Sequence, residues 1–228
     1  MVLCLVAAGV CVRLGVWQLS RLGERRLRNE FVRARLGFPL AAFEALPTDS
    51  SVVRFRHATL RGRYDYANEL VLAGRSRNGS PGVYVVTPLR DVGLGDTAVL
   101  VNRGWVYSPD AASVDLARWR EDETATLRGF VDVFPPAGTG ASRLASHPLA
   151  YRWLDRARIA REAGYPLAPL VLVAQGDTAG MGASRIPVRV GPPPLDEGPH
   201  WNYAVQWFAF AGVALAGLVA FLNAERRR

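Results

Sequence analysis

The chain has 228 residues, 50% hydrophobic and 21% charged, which excludes a disordered polypeptide and leaves room for one soluble domain plus membrane segments. Its formal charge of +8 comes entirely from arginine, since the chain has no lysine, and the arginines are spread along the chain and gathered beside two apolar runs. No nucleic-acid-binding motif accompanies it, so the excess reads as membrane-flanking charge and not as a nucleic-acid surface. The two cysteines, Cys4 and Cys11, lie in one apolar segment where a helix holds their backbones about 10 Å apart, so they cannot bridge each other. CxxC and Cys/His zinc patterns are excluded as well.

Residues 1–22, MVLCLVAAGVCVRLGVWQLSRL, form an apolar run of spanning length interrupted only by Arg13. A cleaved signal peptide is the rival reading. The run lacks a basic n-region and continues through Trp17, Gln18 and Leu19 instead of ending at a small-residue cleavage site, so an uncleaved first span is expected. Arg13 either snorkels to the interface or finds a partner.

Residues 23–50 are expected to begin as an amphipathic helix leading away from the membrane and to be broken at Pro39 and Pro47. From Val52 the pattern VVRFRHATLRGRYD alternates apolar and basic residues, as an antiparallel strand with one wet face does. Further strands are predicted over 69–74, 82–89, 98–106, 124–134, 151–154 and 169–174, with a helix over 155–163 capped by Asp155. One or two helical turns are expected within 115–122. Gly93, Gly95 and Ala98 imitate a dinucleotide fingerprint, but a strand and not a helix follows them, so they read as a turn. The LRG of residues 60–62 returns at 127–129, too common a strand pattern to establish a repeat. A loop spans 135–147, and an extended, proline-rich linker over 175–198 returns the chain to the bilayer. The β-rich domain is therefore bounded at 51–198.

A second span occupies 199–223, HWNYAVQWFAFAGVALAGLVAFL at its heart, followed by a basic tail over 224–228. That tail places the C-terminus in the cytoplasm and His200 outside. Arg21, Arg25, Arg26 and Arg28 follow the first span and argue for the opposite orientation, which suggests a start codon that trims a basic leader. The fold class is thus a membrane protein in which two transmembrane helices flank a β-rich α+β extracytoplasmic domain.

Among candidates for chemistry, Ser108, Asp110 and His147 assemble a hydrolase on paper, but no nucleophile elbow surrounds Ser108, and SPDAAS reads as a turn capping a helix. His57 and His147 read as surface residues. His200 stands at the head of the second span with Tyr203 and Trp207 on one helical stripe. Neutral imidazole suits haem iron and aromatic rings suit a porphyrin, while Trp, Tyr and His equally populate the interfacial belt of ordinary spans. Antiparallel insertion brings GVWQLSR level with HWNYAVQW, so Gln18 and Gln206 are expected to bond across the helices, a contact contributing about 0.6 kcal/mol. Gly212, Ala216 and Ala220 supply a small-residue stripe for close packing, against the first span or against a client.

GVWQLSR, RGRYD, TPLR before VLVNRGWV, and HWNYAVQWF together resemble the Surfeit locus protein 1 family, the assembly factors of cytochrome c oxidase, in that family's order and spacing. The loop over 135–147 carries no motif of the family, and Arg13 departs from it. The resemblance implies two spans, a domain outside the cytoplasm, placement in the bacterial inner membrane with the domain in the periplasm, and no enzymatic activity. It implies oxidase subunit I as partner, with haem a synthase, other assembly factors and the lipid bilayer alongside, and haem a as transient cargo. The family's haem-linked histidine falls on His200, and its motif positions fall on Gly62, Asn102, Arg103, Gly104 and Trp105.

The expected mechanism holds haem a at the outer mouth of the two spans, with His200 as axial ligand, Tyr203, Trp207 and Trp17 around the ring, and Arg21 or Arg25 on the propionates. Interfacial anchoring is the competing role for these arginines. Asn102 to Trp105 are expected to fix a turn of the sheet, or else to form a docking face for the oxidase. The alternative function is a scaffold that holds subunit I without binding haem.

Overall fold

Two long helices and a β-barrel account for the residues described by the computed structural model, 2–136, 141–176 and 186–227. They divide into two units: a helical hairpin, Met1–Ala34 with Pro194–Arg228, and a barrel unit, Arg35–Pro193. Parts of the expected 135–147 loop and 175–198 linker lie outside the described residues.

Helix α1, Val2–Leu36, runs without a break through the point where the sequence suggested that one segment ends and another begins. Gly23 does not interrupt it, because no proline occurs before Pro39 and a single glycine weakens a helix only by about 1 kcal/mol. The helix His200–Arg226 at the other end of the chain is the second member of the hairpin. Both are long and apolar enough to cross a membrane.

Apart from Val32 near the end of α1, the residues buried within the hairpin recur at a spacing of seven. In α1 they are Ala8, Gly15, Leu22 and Asn29; in the C-terminal helix they are Ala204, Ala211 and Leu218. Half-buried Cys4, Cys11, Gln18 and Arg25 fill the intermediate positions of one seam, and His200, Trp207 and Ala214 those of the other. A seven-residue repeat of this kind is the seam of a left-handed helix pair. Gly15 lets α1 approach the other helix closely, since a Cβ there would lie 2.8 Å from the Phe208 ring. The stripe Gly212, Ala216 and Ala220 faces away from α1 and is exposed, because it lies outside the seam that Ala204, Ala211 and Leu218 define.

The barrel unit begins with β1 (Ala41–Ala42) and a single helical turn, α2 (Ser50–Val53). The strand expected from Val52 starts instead at His57, because Asp49 caps α2 by accepting from the Ser51 N–H at 2.8 Å, and Phe55 takes a left-handed φ of 69°. The main strands are β2 (His57–Tyr64), β3 (Leu70–Arg77), β4 (Ser80–Arg90), β5 (Ala98–Tyr107) and β6 (Thr124–Val133). After β7 (Ala150–Tyr151) and α3 (Arg156–Ala163) comes β8 (Leu167–Gln175). Asp155 caps α3 as expected, accepting from the Arg158 N–H at 3.0 Å. The C-terminal helix of the hairpin is α4.

Strand order is β1-β2-β6-β8-β5-β4-β3-β7, and a pairing of β2 with β4 at Arg63↔Arg90 and Tyr64↔Leu89 closes β2, β6, β8, β5 and β4 into a barrel. The two LRG segments are antiparallel neighbours, with Leu60 opposite Leu127. Only β5 and β8 pair in parallel inside the barrel, and both are buried on two faces. Val99, Val101, Leu170 and Leu172 point into the barrel with Leu60 and Val131; Ala98, Leu100, Leu167 and Val171 pack outward with Ile159 of α3. That double burial explains why AVLV and LVLVA read as continuous apolar runs. Gly93 and Gly95 form the turn between β4 and β5, with φ of 76° and 60°.

Closure depends on Gly62. A Cβ there would lie 2.4 Å from the Arg90 carbonyl oxygen and 2.8 Å from Val92, so only glycine lets β2 meet the end of β4. Gly62→Val is expected to destabilise the protein by about 2 kcal/mol or more, whereas Gly191→Ala, which meets open space, changes stability by less than about 0.5 kcal/mol. Thermal unfolding of the detergent-solubilised chain, followed by circular dichroism, measures both.

Candidate functional site

The motif Asn102 to Trp105 lies within β5 and not in a turn. Gly104 pairs with Val85 and Asn102 with Val86, so Arg103 is the extra residue of a β-bulge. A bulge re-aims its side chain, and here it drives a guanidinium into the protein interior. Arg103 is 0% exposed. Its Nη1 donates to Glu69 Oε1 at 2.9 Å, its Nε to Glu121 Oε1 at 3.0 Å, and its Nη2 to the Trp119 carbonyl. The rings of Tyr64 and Tyr66 lie 5.0 and 5.3 Å from its Cζ. Arg120 reaches the second oxygen of Glu69 at 3.3 Å, and Arg189 pairs with Glu121 and donates to the Arg103 carbonyl. Burial pushes the Glu69 carboxyl above its ordinary value, and the attraction of Arg103 and Arg120 opposes that shift.

Gly104 and Trp105 use the same bulge to bind the segment that returns toward α4. Trp105 N–H donates to the Val188 carbonyl at 2.7 Å and Val188 N–H to the Trp105 carbonyl at 2.8 Å. Gly104 has φ of 134°, and a Cβ on it would meet the Val188 oxygen at 2.5 Å. Asn102 is buried and its Oδ1 accepts from the Gly104 N–H at 3.1 Å. Arg103 has no surface to offer a partner, so the docking-face reading fails for it. Sequence reasoning missed Glu69, Glu121 and Arg189, whose spacing along the chain gives no local signature.

The paper hydrolase does not assemble. Ser108 is buried, with Oγ 2.6 Å from Asp110 Oδ1, while His147 reaches Asp110 at 3.6 Å and Ser146 at 2.8 Å but is not bonded to Ser108. Asp110 organises a turn: Ser108, the Ser113 hydroxyl and the backbone N–H groups of Ser113 and Ala112 all bond its carboxyl and hold it well below the usual range. SPDAAS does not cap the short 3-10 helix Leu116–Trp119, whose N-cap is Asp115.

Within the hairpin unit, His200 and Gln18 meet. His200 Nδ1 lies 2.8 Å from Gln18 Oε1, both side chains being half-buried on the seam. The expected Gln18–Gln206 bond does not form, because Gln206 lies off the seam and is exposed. Trp207 lies on the seam seven residues after His200, edge-on to Phe210 with centroids 5.9 Å apart. Tyr203 and Trp17 are off the seam, 46% and 48% exposed. Arg21 sits over the Trp17 ring at 5.6 Å and pairs with Glu24 at 2.7 Å. Arg25 forks onto both oxygens of Asp196 at 3.2 Å, Arg26 onto both of Glu197 at 2.9 Å, and Asn29 donates to the Asp196 carbonyl at 2.8 Å. These arginines therefore tie the chain entering α4 to α1. Arg13 is exposed, away from the seam. The arrangement can present one imidazole beside aromatic rings and guanidinium groups at the polar end of an apolar helix pair.

Two outcomes follow from the barrel geometry. Arg103→Met leaves Glu69 and Glu121 facing each other without their shared cation and is expected to destabilise by about 3–5 kcal/mol, part of it recovered in Arg103→Met/Glu69→Gln, as read by thermal unfolding. Because the Asp110 pKa is depressed on folding, its stabilisation is present above about pH 4 and is lost as pH falls through the folded value. The melting-temperature gap between the parent and Asp110→Asn is therefore widest near neutrality and closes in acid.

The sequence profile of the SURF1 family matches residues 5–212, from α1 through the barrel into α4. A SURF1-like protein of Rickettsia felis is 24% identical over 97% of this chain and 95% of its own length. An uncharacterised SURF1-like protein of Mycobacterium bovis is 26% identical over 94% of this chain and 78% of its own length. Surfeit locus protein 1 of Takifugu rubripes is 33% identical over a shorter stretch of 111 residues, covering 41% of this chain and 45% of the fish protein. With nearly all of α1, the barrel and the first half of α4 inside the matched range, the chain belongs to the SURF1 family.

Proposed function

We propose that this protein assists assembly of cytochrome c oxidase by holding haem a at the polar end of its helix pair and passing it to oxidase subunit I. The family's tie to cytochrome oxidase assembly supports the process. The single observation that supports the cargo is His200, half-buried on the helix seam with its Nδ1 engaged by Gln18. Such a histidine keeps one ring nitrogen for a metal, as axial haem ligation requires. His200 is the axial ligand in this reading, and Trp207, Tyr203 and Trp17 flank the ring. Arg21 is the better propionate partner than Arg25. Its pair with Glu24 is about half exposed, and pairs of that kind contribute only about 0–1 kcal/mol, so a propionate replaces the Glu24 carboxylate readily. The Arg25 fork on Asp196 is part of the hairpin's own architecture.

In this reading both helices span the bacterial inner membrane, the tail after α4 stays in the cytoplasm, and the barrel faces the periplasm, where haem a synthase and other assembly factors have access to the same end. Transfer needs no covalent chemistry from the protein. It needs a ligand nitrogen that competes with water and yields to the oxidase.

The test is the visible spectrum of the protein purified from cells that make haem a, beside His200→Ala prepared in the same way. A haem a band in the parent, lost in the variant at equal helicity, is the expected outcome. Absence of the band from both would overturn haem handling and favour a scaffold that holds subunit I without cargo.

A further inference from the structure

We infer that Gln18 is the positioning residue for His200: its side-chain oxygen holds the imidazole as the Nδ1–H tautomer and leaves Nε2 as the only ring nitrogen with a free lone pair. A neutral imidazole has one N–H, and the atom of Gln18 that faces it, Oε1 at 2.8 Å from Nδ1, can only accept. The ring proton therefore belongs on Nδ1. The second-nitrogen contact sets which nitrogen binds a metal and raises that nitrogen's basicity. The inference rests on the haem-ligand reading only for what Nε2 then binds.

Three further features of the hairpin hold the ring in this pose. Gln18 and His200 both occupy seam positions of the seven-residue repeat, so packing of Gly15 against Phe208 and of the alanines of α4 keeps the two side chains at one level. The backbone before His200 is fixed by Asp196, whose Oδ1 accepts from the Gly198 N–H at 3.0 Å while Arg25 forks its carboxylate. Gly198 takes a left-handed φ of 67°, and a Cβ there would lie 3.4 Å from His200 Cδ2 and 3.6 Å from Nε2. A Cβ at position 198 would thus sit in van der Waals contact with the edge of the ring that carries Nε2, and the left-handed φ makes any side chain there strained, so glycine keeps that contact off the ring.

The experiment uses the full chain in detergent micelles, labelled with nitrogen-15 at its three histidines, at about pH 8.5 where ordinary imidazoles are neutral. Long-range proton–nitrogen spectra distinguish the two tautomers, and loss of one signal set in His200→Ala assigns His200. The expected result is a protonated Nδ1 and a bare Nε2 in the parent, the same pattern in Gln18→Glu, which keeps an acceptor, and a shift toward Nε2–H in the nearly isosteric Gln18→Met. A parent His200 protonated on Nε2, or a pattern unchanged in Gln18→Met, overturns the inference. Titration with ferric haem then separates it from the reading it rests on. Binding weakened about 10- to 100-fold in Gln18→Met and retained in Gln18→Glu supports both. No binding to the parent, with the Nδ1–H tautomer intact, sinks the haem-ligand reading and leaves the positioning of His200 by Gln18 in place.

Discussion

A guanidinium with no contact to solvent, Arg103, is the interaction on which the barrel unit depends. Taking such a charge out of water is unfavourable by several kcal/mol, and only well-placed partners offset it. The bulge in β5 aims the side chain inward, and Glu69, at the head of β3, and Glu121, just before β6, meet it there. Tyr64 and Tyr66 close over its faces, and Arg189 joins the group from the segment leading toward α4. Chain segments far apart in sequence thus share one ion cluster. None can shift without exposing or orphaning a charge, so the cluster fixes where the chain leaves the barrel unit.

The hairpin unit is held by a different principle. Its seam is apolar over most of its length, with small or aliphatic residues at Ala8, Gly15, Leu22, Ala204, Ala211 and Leu218. Among the described residues, the polar groups bonded across the two chain ends gather at one end of the seam: Gln18, Arg25 and Asn29 on α1, His200 on α4, and Asp196 and Glu197 just before it. Close packing sets the register, and forked arginine–carboxylate pairs lock the end where the chain turns back. Arg25 and Arg26, which counted along the sequence look like signals of membrane orientation, have a structural use.

The sequence made the broad plan legible because its signals are local. Two long apolar runs gave the helices, alternation gave most strands, and Asp155 announced α3. The boundary at Val52 was misread because an Asp-capped turn and a left-handed Phe55 break an alternation that looks continuous in one dimension. The VNRGW motif was visible, but its role was not, since a bulge is defined by the partner strand, and the partners of Arg103 come from positions 69, 121 and 189. His200 was legible as the notable polar residue at a span's head. Its bond to Gln18 was not, because Gln18 and Gln206 at similar depth invite pairing with each other, and only the seven-residue seam decides that Gln18 faces inward while Gln206 faces out.

In the proposed function, the position of His200 along that seam bears on how a transient cargo would be handled. A histidine in the middle of the pair, among Ala211, Ala214 and Leu218, would need the helices to part before any ligand could enter or leave. At the first turn of α4 it is half-buried, with its Nδ1 side held by Gln18 and its Nε2 side next to a glycine. The ring is fixed on one edge and faces a glycine on the other. Such a site orders its ligand nitrogen before a partner arrives, which lowers the entropy lost on binding, yet leaves a lateral route for departure without disturbing the packed seam. Under that proposal, strong ordering of the protein and easy release of a cargo are compatible, because the residues that order the imidazole are not those that would enclose what it binds.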